Sequence, residues 1–435
     1  MRRLLVLAVL LGGLQLLEPL GSEAAGSSAL LPFGFLVLGA YTVGELASAF
    51  GLPKIVGYLV AGAVFGPEAL AVVPRAGVEE LDLVSQLAVA LIAFLAGAEL
   101  RWDDVRRDGI KILRLVMAEV GLTFAALSTA MFLLAPYVPV LSDLPRLETA
   151  AFALLFGSVA AVHSPAVTMA LLSETGARGP VARTTLGVVL VSDVVVVLLF
   201  SATLALARSL VAPAAGVPAL SVGALLWEMG GALLVGGFLG AGVALYLRFV
   251  GRDLMLFAVL AVFFGLEITR ALHVEMLLTL LVAGFVTENV GQHGDDLREA
   301  MERSAAPLFV VFFALSGAKI DLAAAWALLP FVIPLALVRA GAIRAGVHLA
   351  SRWAGVSDLE RRHVWMGLVS QAGVAIGLAA VVAEAYPEKG VPMASLILAL
   401  IAVNETIGPI LFRRALAAAG EVAILEEPSE VPVGG

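Results

Sequence analysis

Thr149-Ala-Ala-Phe-Ala-Leu-Leu-Phe-Gly-Ser-Val-Ala-Ala-Val-His163-Ser-Pro-Ala-Val-Thr-Met-Ala-Leu-Leu172 is an apolar run with a polar break at His163-Ser164-Pro165. After Ser173-Glu-Thr-Gly-Ala-Arg-Gly179 comes a second run, Val181–Ala207. It holds one acid, Asp193, within Gly187-Val-Val-Leu-Val-Ser-Asp-Val-Val-Val-Val-Leu-Leu199. An ionised side chain at the centre of a membrane helix costs roughly 2.5–3.5 kcal/mol on insertion scales, so an acid there has a task. A broken helix beside it frees backbone carbonyls and helix-dipole ends, both of which serve as ion ligands. The pair of runs reads as an ion-binding site at the membrane midplane.

Composition agrees with a bilayer as solvent. Hydrophobic residues make up 61% of the 435, charged residues 14%, and the mean hydropathy is +1.02. Those values lie far outside the soluble range. Runs of about 20 apolar residues suit helices rather than barrel strands. The absence of cysteine excludes disulfides, thiolate metal sites and a cysteine nucleophile. The five histidines show no metal-ligand spacing, and no cofactor or nucleic-acid partner is expected.

Residues 1–25 carry Met1-Arg-Arg, then Leu4–Leu17, then a polar segment, the tripartite pattern of a signal peptide; an extra uncleaved helix is the alternative. Beyond them thirteen apolar spans follow: Leu30–Phe50, Ile55–Val73, Leu81–Leu100, Ile110–Ala135, Thr149–Leu172, Val181–Ala207, Val222–Leu247, Leu254–Ile268, Val274–Val290, Ala305–Leu315, Ala324–Ala350, Val364–Ala385 and Met393–Phe412. With the start of the first span outside, the inner loops receive 17 of the 27 Lys and Arg residues and the outer loops 6. The positive-inside rule therefore puts the N-terminus out and the C-terminus in the cytoplasm of a cell-membrane protein.

Thirteen divides into six, a bridging helix and six. The expected organisation is an all-α polytopic membrane protein with a first repeat over 26–208, a bridge over 209–250, an inverted second repeat over 251–416 and a short acidic tail over 417–435. The fifth helix of each half is interrupted, the first at His163-Ser164-Pro165. The second carries the polar, glycine-rich stretch Ser370-Gln371-Ala372-Gly373-Val374-Ala375-Ile376-Gly377. Matched interruptions in two halves predict two discontinuous helices crossing at a transport site.

Among eleven aspartates only Asp193 sits deep in a span, where it can hold a proton or a transported monovalent cation in turn. Ser192 and Ser164 are candidate ligands beside it. His163 is either a pH-responsive group or a neutral hydrogen-bonding one. A second deep charge is Arg339; Arg344 follows five residues on, on another face of the helix. Depth favours Arg339 as the fixed counter-charge, with Arg344 reaching the inner interface. Glu119 and Glu405 lie nearer the inner ends of their spans and read as packing or salt-bridge acids, Glu119 as a partner for an arginine.

Several stretches resemble the monovalent cation:proton antiporter-2 superfamily. Gly51-Leu-Pro-Lys-Ile-Val-Gly-Tyr-Leu-Val-Ala-Gly-Ala-Val-Phe-Gly-Pro67 is similar to its second-helix motif. Leu91-Ile-Ala-Phe-Leu-Ala-Gly-Ala-Glu-Leu100 is similar to its third and Phe312-Phe-Ala-Leu-Ser-Gly317 to its tenth. His163-Ser-Pro-Ala166, Glu174, Gly179 and Ser192-Asp193 resemble its core, so the resemblance covers roughly Leu30–Leu416. It implies a dimeric exchanger of Na⁺ or K⁺ for H⁺, with the cation bound at Asp193. A core of the fourth to sixth and eleventh to thirteenth helices would shift against a dimer scaffold.

Three departures matter. Electrogenic members carry two adjacent aspartates where this chain has Ser192-Asp193, which favours one-for-one electroneutral exchange. His163 stands where the family often has Thr or Ser. No nucleotide-binding domain follows the membrane part in this sequence, so gating by that route is not expected. A sodium-coupled organic-anion symporter of similar inverted-repeat fold is the alternative function. An intramembrane aspartyl protease would need two membrane aspartates, and an enzyme is not expected.

Overall fold

The computed structural model describes residues 30–98, 100–138, 141–211, 222–250, 254–290, 294–372 and 374–422. The proposed leader, Gly373, part of the bridging segment and the tail beyond residue 422 lie outside the described residues. Every regular element among those described is helical. The first repeat region holds α1 (Leu30–Ala49), α2 (Lys54–Phe65), α3 (Arg75–Glu80), α4 (Asp82–Ala98), α5 (Trp102–Leu134), α6 (Arg146–Ala160), α7 (Pro165–Thr175) and α8 (Pro180–Val211). There follow α9 (Val222–Phe249), α10 (Leu254–Leu272), α11 (Met276–Val290) and α12 (Gly294–Ala318). The chain then continues with α13 (Leu322–Ala354), α14 (Asp358–Gly367), α15 (Val374–Ala385) and α16 (Pro387–Ala418).

Among the described residues, seven helical stretches are long and apolar enough to cross a membrane, and shorter apolar helices of 10–17 residues accompany them. Several boundaries differ from the sequence expectation. The second span stops at Phe65 rather than Val73, because Pro67 pushes Gly66 into extended backbone (φ −69°, ψ 176°) and ends the helix. The fourth starts at Trp102 rather than Ile110, and the tenth at Gly294 rather than Ala305. In both cases polar turns continue a helix whose apolar part alone marked the span.

The helices pack in two groups. One holds α5–α8 with α13–α16; the other holds α1, α2 and α4 with α9–α12. The main contacts between the groups run through α7 and α16, against α2, α4 and α12. Small residues permit the closest approaches, as between membrane helices generally. A Cβ on Gly97 of α4 would fall on the carbonyl of Leu281, and one on Gly284 of α11 on that of Phe94. In the first group Gly346 lets α13 lie on the backbone of Glu119 in α5. That approach brings the deep charge of α13 to the broken helices.

Candidate functional site

The two interrupted helices define the site. α6 ends at Ala160, and Ser164 is extended (φ −116°, ψ 106°) ahead of Pro165 at the first position of α7. Proline has no N–H to continue the ladder and disfavours helical backbone before it, so the break is local chemistry. Ser164 Oγ caps the new helix, accepting the Val167 amide at 3.2 Å. The second break lies between Gly367 at the end of α14 and Val374 at the start of α15. Each break exposes one carbonyl-bearing C-terminus and one amide-bearing N-terminus, with opposite partial charges.

Arg339 of α13 takes the two carbonyl ends. It is fully buried, 0% exposed, and is the largest of the fully buried side chains among the described residues. Its Nε donates to Ala160 O at 2.7 Å and its Nη2 to Val162 O at 2.7 Å, both at the first break. Its Nη1 donates to Val369 O, and Nη2 also reaches Leu368 O at 3.4 Å, at the second break. A planar guanidinium with donors on several sides suits this task better than an ammonium. The expected counter-charge of Asp193 therefore spends its donors on backbone carbonyls of both helices.

A polar network extends from it. His163 Nδ1 lies 2.7 Å from Leu368 O, and Nε2 lies 2.9 Å from Glu119 Oε2. Glu119 Oε1 accepts the Thr123 hydroxyl at 2.8 Å. A carbonyl only accepts, so Nδ1 donates in its contact with Leu368 O; the same Nδ1 lies 3.3 Å from Arg339 Nη2, and Nε2 faces the Glu119 carboxyl. Gln371 Nε2 donates to Ala160 O at 2.9 Å, and its Oε1 accepts from Asn404 Nδ2 at 2.8 Å, which ties α16 to both breaks.

Asp193 faces the other ends. It lines a cavity of about 30 Å³ together with Ser164 and Pro165 at the start of α7 and Ala372 and Val374 at the start of α15. Val89, Ile92 and Ala93 of α4 and Phe312 of α12 complete an apolar wall supplied by the second helix group. The positive dipole ends of α7 and α15 thus lie beside the carboxylate. Its Oδ1 is buried without a hydrogen-bond partner. Such an oxygen is costly alone and is suited to a cation or a proton.

The remaining candidates divide. Ser192 is fully buried and its hydroxyl donates to Val189 O at 2.7 Å on its own helix, away from the cavity. His163 turns from Asp193 to Glu119. Ser370 is buried against Gly408 with no partner for Oγ. Arg344 is exposed, its guanidinium 5.5 Å from the Trp365 ring centroid. Glu405 is buried on α16, with Oε1 unpartnered, and does not line the Asp193 cavity. Asn404 was the missed member of the network, although an amide deep in an apolar span is itself a signal. Thr123 was missed too, as an ordinary helix hydroxyl.

At the far end of α8, Glu360 joins three helices. Its carboxylate accepts from Lys111 Nζ of α5 at 2.8 Å and Thr184 Oγ1 of α8 at 2.5 Å, and it closes a capping box with Ser357. Burial alone would raise its pKa; the hydrogen bonds from Lys111, Thr184 and Ser357 overcome that and hold it at about 2.

Comparison with known proteins follows this geometry. The family model described as sodium/hydrogen exchanger, transmembrane, matches residues 34–416. The Na(+)/H(+) antiporter NhaS5 of Synechocystis sp. is 25% identical over 403 residues, covering 88% of this chain and 54% of that protein. The Na(+)/H(+) antiporter NhaP of Pseudomonas aeruginosa is 27% identical over 158 residues, 35% of this chain and 36% of that protein. The chain thus spans about half or less of the curated relatives it matches. Among solved structures, the sodium proton antiporter MjNhaP1 from Methanocaldococcus jannaschii at pH 8 superposes with a TM-score of 0.68 and 18% identity, over 90% of this chain and 97% of that one. A second structure of MjNhaP1 gives 0.72 and 17%, over 91% and 98%. These two establish a shared fold.

Proposed function

The chain belongs to the transmembrane sodium/hydrogen exchanger family, whose members are monovalent cation:proton antiporters, and on that premise we propose that it exchanges Na⁺ or K⁺ for H⁺ at Asp193. The observation that carries this reading is the unpartnered Oδ1 of Asp193 in a small cavity at the seam between two helix groups. A carboxylate there takes a dehydrated cation or a proton, each excluding the other. Arg339 keeps the carbonyl ends of both crossing helices satisfied while Asp193 occupies the amide ends. The group containing α5–α8 and α13–α16 moves as the carrier against the other, with α7 and α16 sliding along the seam.

The finer reading is a multi-pass protein of the cell inner membrane. It has thirteen spans in two inverted repeats, the N-terminus outside and the C-terminus in the cytoplasm, and works as a homodimer. Exchange is one-for-one, because the moving group brings one carboxylate, Asp193, to the site and Ser192 beside it supplies none. A cavity of about 30 Å³ accommodates an ion or a water, which speaks against the organic-anion symporter. The test is purified protein in proteoliposomes with a trapped pH-sensitive dye, challenged with Na⁺, K⁺ and Li⁺. Wild type acidifies or alkalises the lumen on cation addition, and Asp193→Asn does not. Full exchange by a folded Asp193→Asn protein would remove Asp193 from the mechanism.

A further inference from the structure

The wall around Asp193 contains a second acid. A neighbouring cavity, also about 30 Å³, is lined by Asp193 and Val194 of α8, Met229 of α9, Val374 of α15 and Glu275. Glu275 immediately precedes α11, and its carboxylate accepts the amides of Leu277, at 3.1 Å, and Leu278. It is thereby held at a helix N-terminus, where the dipole favours negative charge. Capping alone does not call for this residue, since Ser, Thr, Asp and Asn are the preferred caps.

The two carboxylates stand on opposite sides of the seam. Asp193 rides on α8, packed with α5, α6 and α14, whereas α11 packs against α4 and α9 of the other group. Movement of one group against the other therefore changes their separation. On the other side of the molecule the seam is tied: both oxygens of Glu174, near the end of α7, accept the backbone amide of Lys54 at the start of α2, each at 3.1 Å. The positive-inside count puts the start of α11 outside and the start of α2 inside. In this structure the seam is stapled at the inner end, and Asp193 shares a cavity with an acid at the outer end.

Building on the reading of Asp193 as the carrier, we propose that Glu275 is a second carboxylate of the outward-facing cation site. A monovalent alkali cation entering at the start of α11 is held by both acids. When the α8 group carries Asp193 inward, Glu275 stays behind on α11, and the cation is left with one carboxylate. Affinity is then higher on the outer face than on the inner, and release inward is helped by losing a ligand charge. Cation affinity thus becomes a property of the conformation as well as of Asp193.

The experiment measures the KM for Na⁺ separately on each face, in right-side-out and inverted vesicles of the full chain. Glu275→Gln and Glu275→Asn should raise the outer KM about tenfold, equal to about 1.4 kcal/mol, and the inner KM less than twofold. Glu275→Asp, which keeps the charge one methylene back, should raise the outer KM two- to threefold. Asparagine is a good helix cap, so a purely structural role predicts that Glu275→Asn matches Glu275→Asp; that match would overturn the proposal. Equal changes on both faces would overturn it as well. Should neither neutral variant insert, Glu275→Asp decides, and unchanged KM values on both faces refute the assignment. Asp193→Asn is run in parallel: its retention of exchange would refute the carrier reading itself, whatever Glu275 does.

Discussion

Replacing Arg339 with methionine tests how the crossing helices are held. The guanidinium reaches carbonyls at both breaks. Two of these acceptors keep a donor without it: Ala160 O retains Gln371 Nε2 and Leu368 O retains His163 Nδ1. Val162 O and Val369 O lose the donor that Arg339 supplies. A buried acceptor left unsatisfied costs about 1–3 kcal/mol, so the two together cost about 2–6 kcal/mol. The neighbouring Glu119–His163 pair also loses the cation beside it. The variant should therefore melt several degrees below wild type in detergent, with Arg339→Lys between them, because three donors on one nitrogen cannot span both breaks. Arg344→Ala removes an exposed side chain and should change stability by about 0.5 kcal/mol or less. The assay is thermal unfolding followed by tryptophan fluorescence and by retention of a monodisperse peak. A melting temperature for Arg339→Met indistinguishable from that of Arg344→Ala would refute the reasoning.

Further expectations concern charge and protons. Glu119→Gln and His163→Gln should couple, with the double mutant departing from additivity by at least about 1 kcal/mol in unfolding; additive effects would mean the pair is not a unit. Glu360 has a folded pKa of about 2, below its unfolded value of about 4.5. Its contribution is therefore present above pH 4.5 and is lost as pH falls from there towards 2, by up to about 3 kcal/mol. Glu360→Gln should be less stable at neutral pH and show a flatter acid-unfolding slope in that window, and an unchanged slope would contradict the clamp. For stoichiometry, a membrane potential does about 2.3 kcal/mol of work per charge per 100 mV, but only on net charge moved per cycle. With one cation exchanged for one proton, a valinomycin-imposed potential at equal pH should drive no uphill Na⁺ accumulation; voltage-driven uptake would require a second titrating group.

Some of this architecture is written in short-range chemistry. Apolar run length marks a membrane helix because buried backbone must bond to itself in lipid. Pro165 breaks α6 from α7 because proline offers no N–H, and the polar, glycine-bearing stretch after Leu368 separates α14 from α15 in the matching place. Such signals act over a few residues, so one sequence exposes them. The depth of Asp193 and Arg339 is legible for the same reason, since charge is rare in an apolar run. What each charge faces is another matter. Arg339 meets carbonyls nearly 180 residues away at the first break, and His163 meets Glu119 across 44 residues. Nothing local indicates that Glu275, at a helix end, lines the cavity of Asp193. Those pairings arise when glycines let helices close to backbone contact and two packed groups meet along a seam. Local chemistry sets where helices form and break; the packing of distant helices alone sets which charges meet.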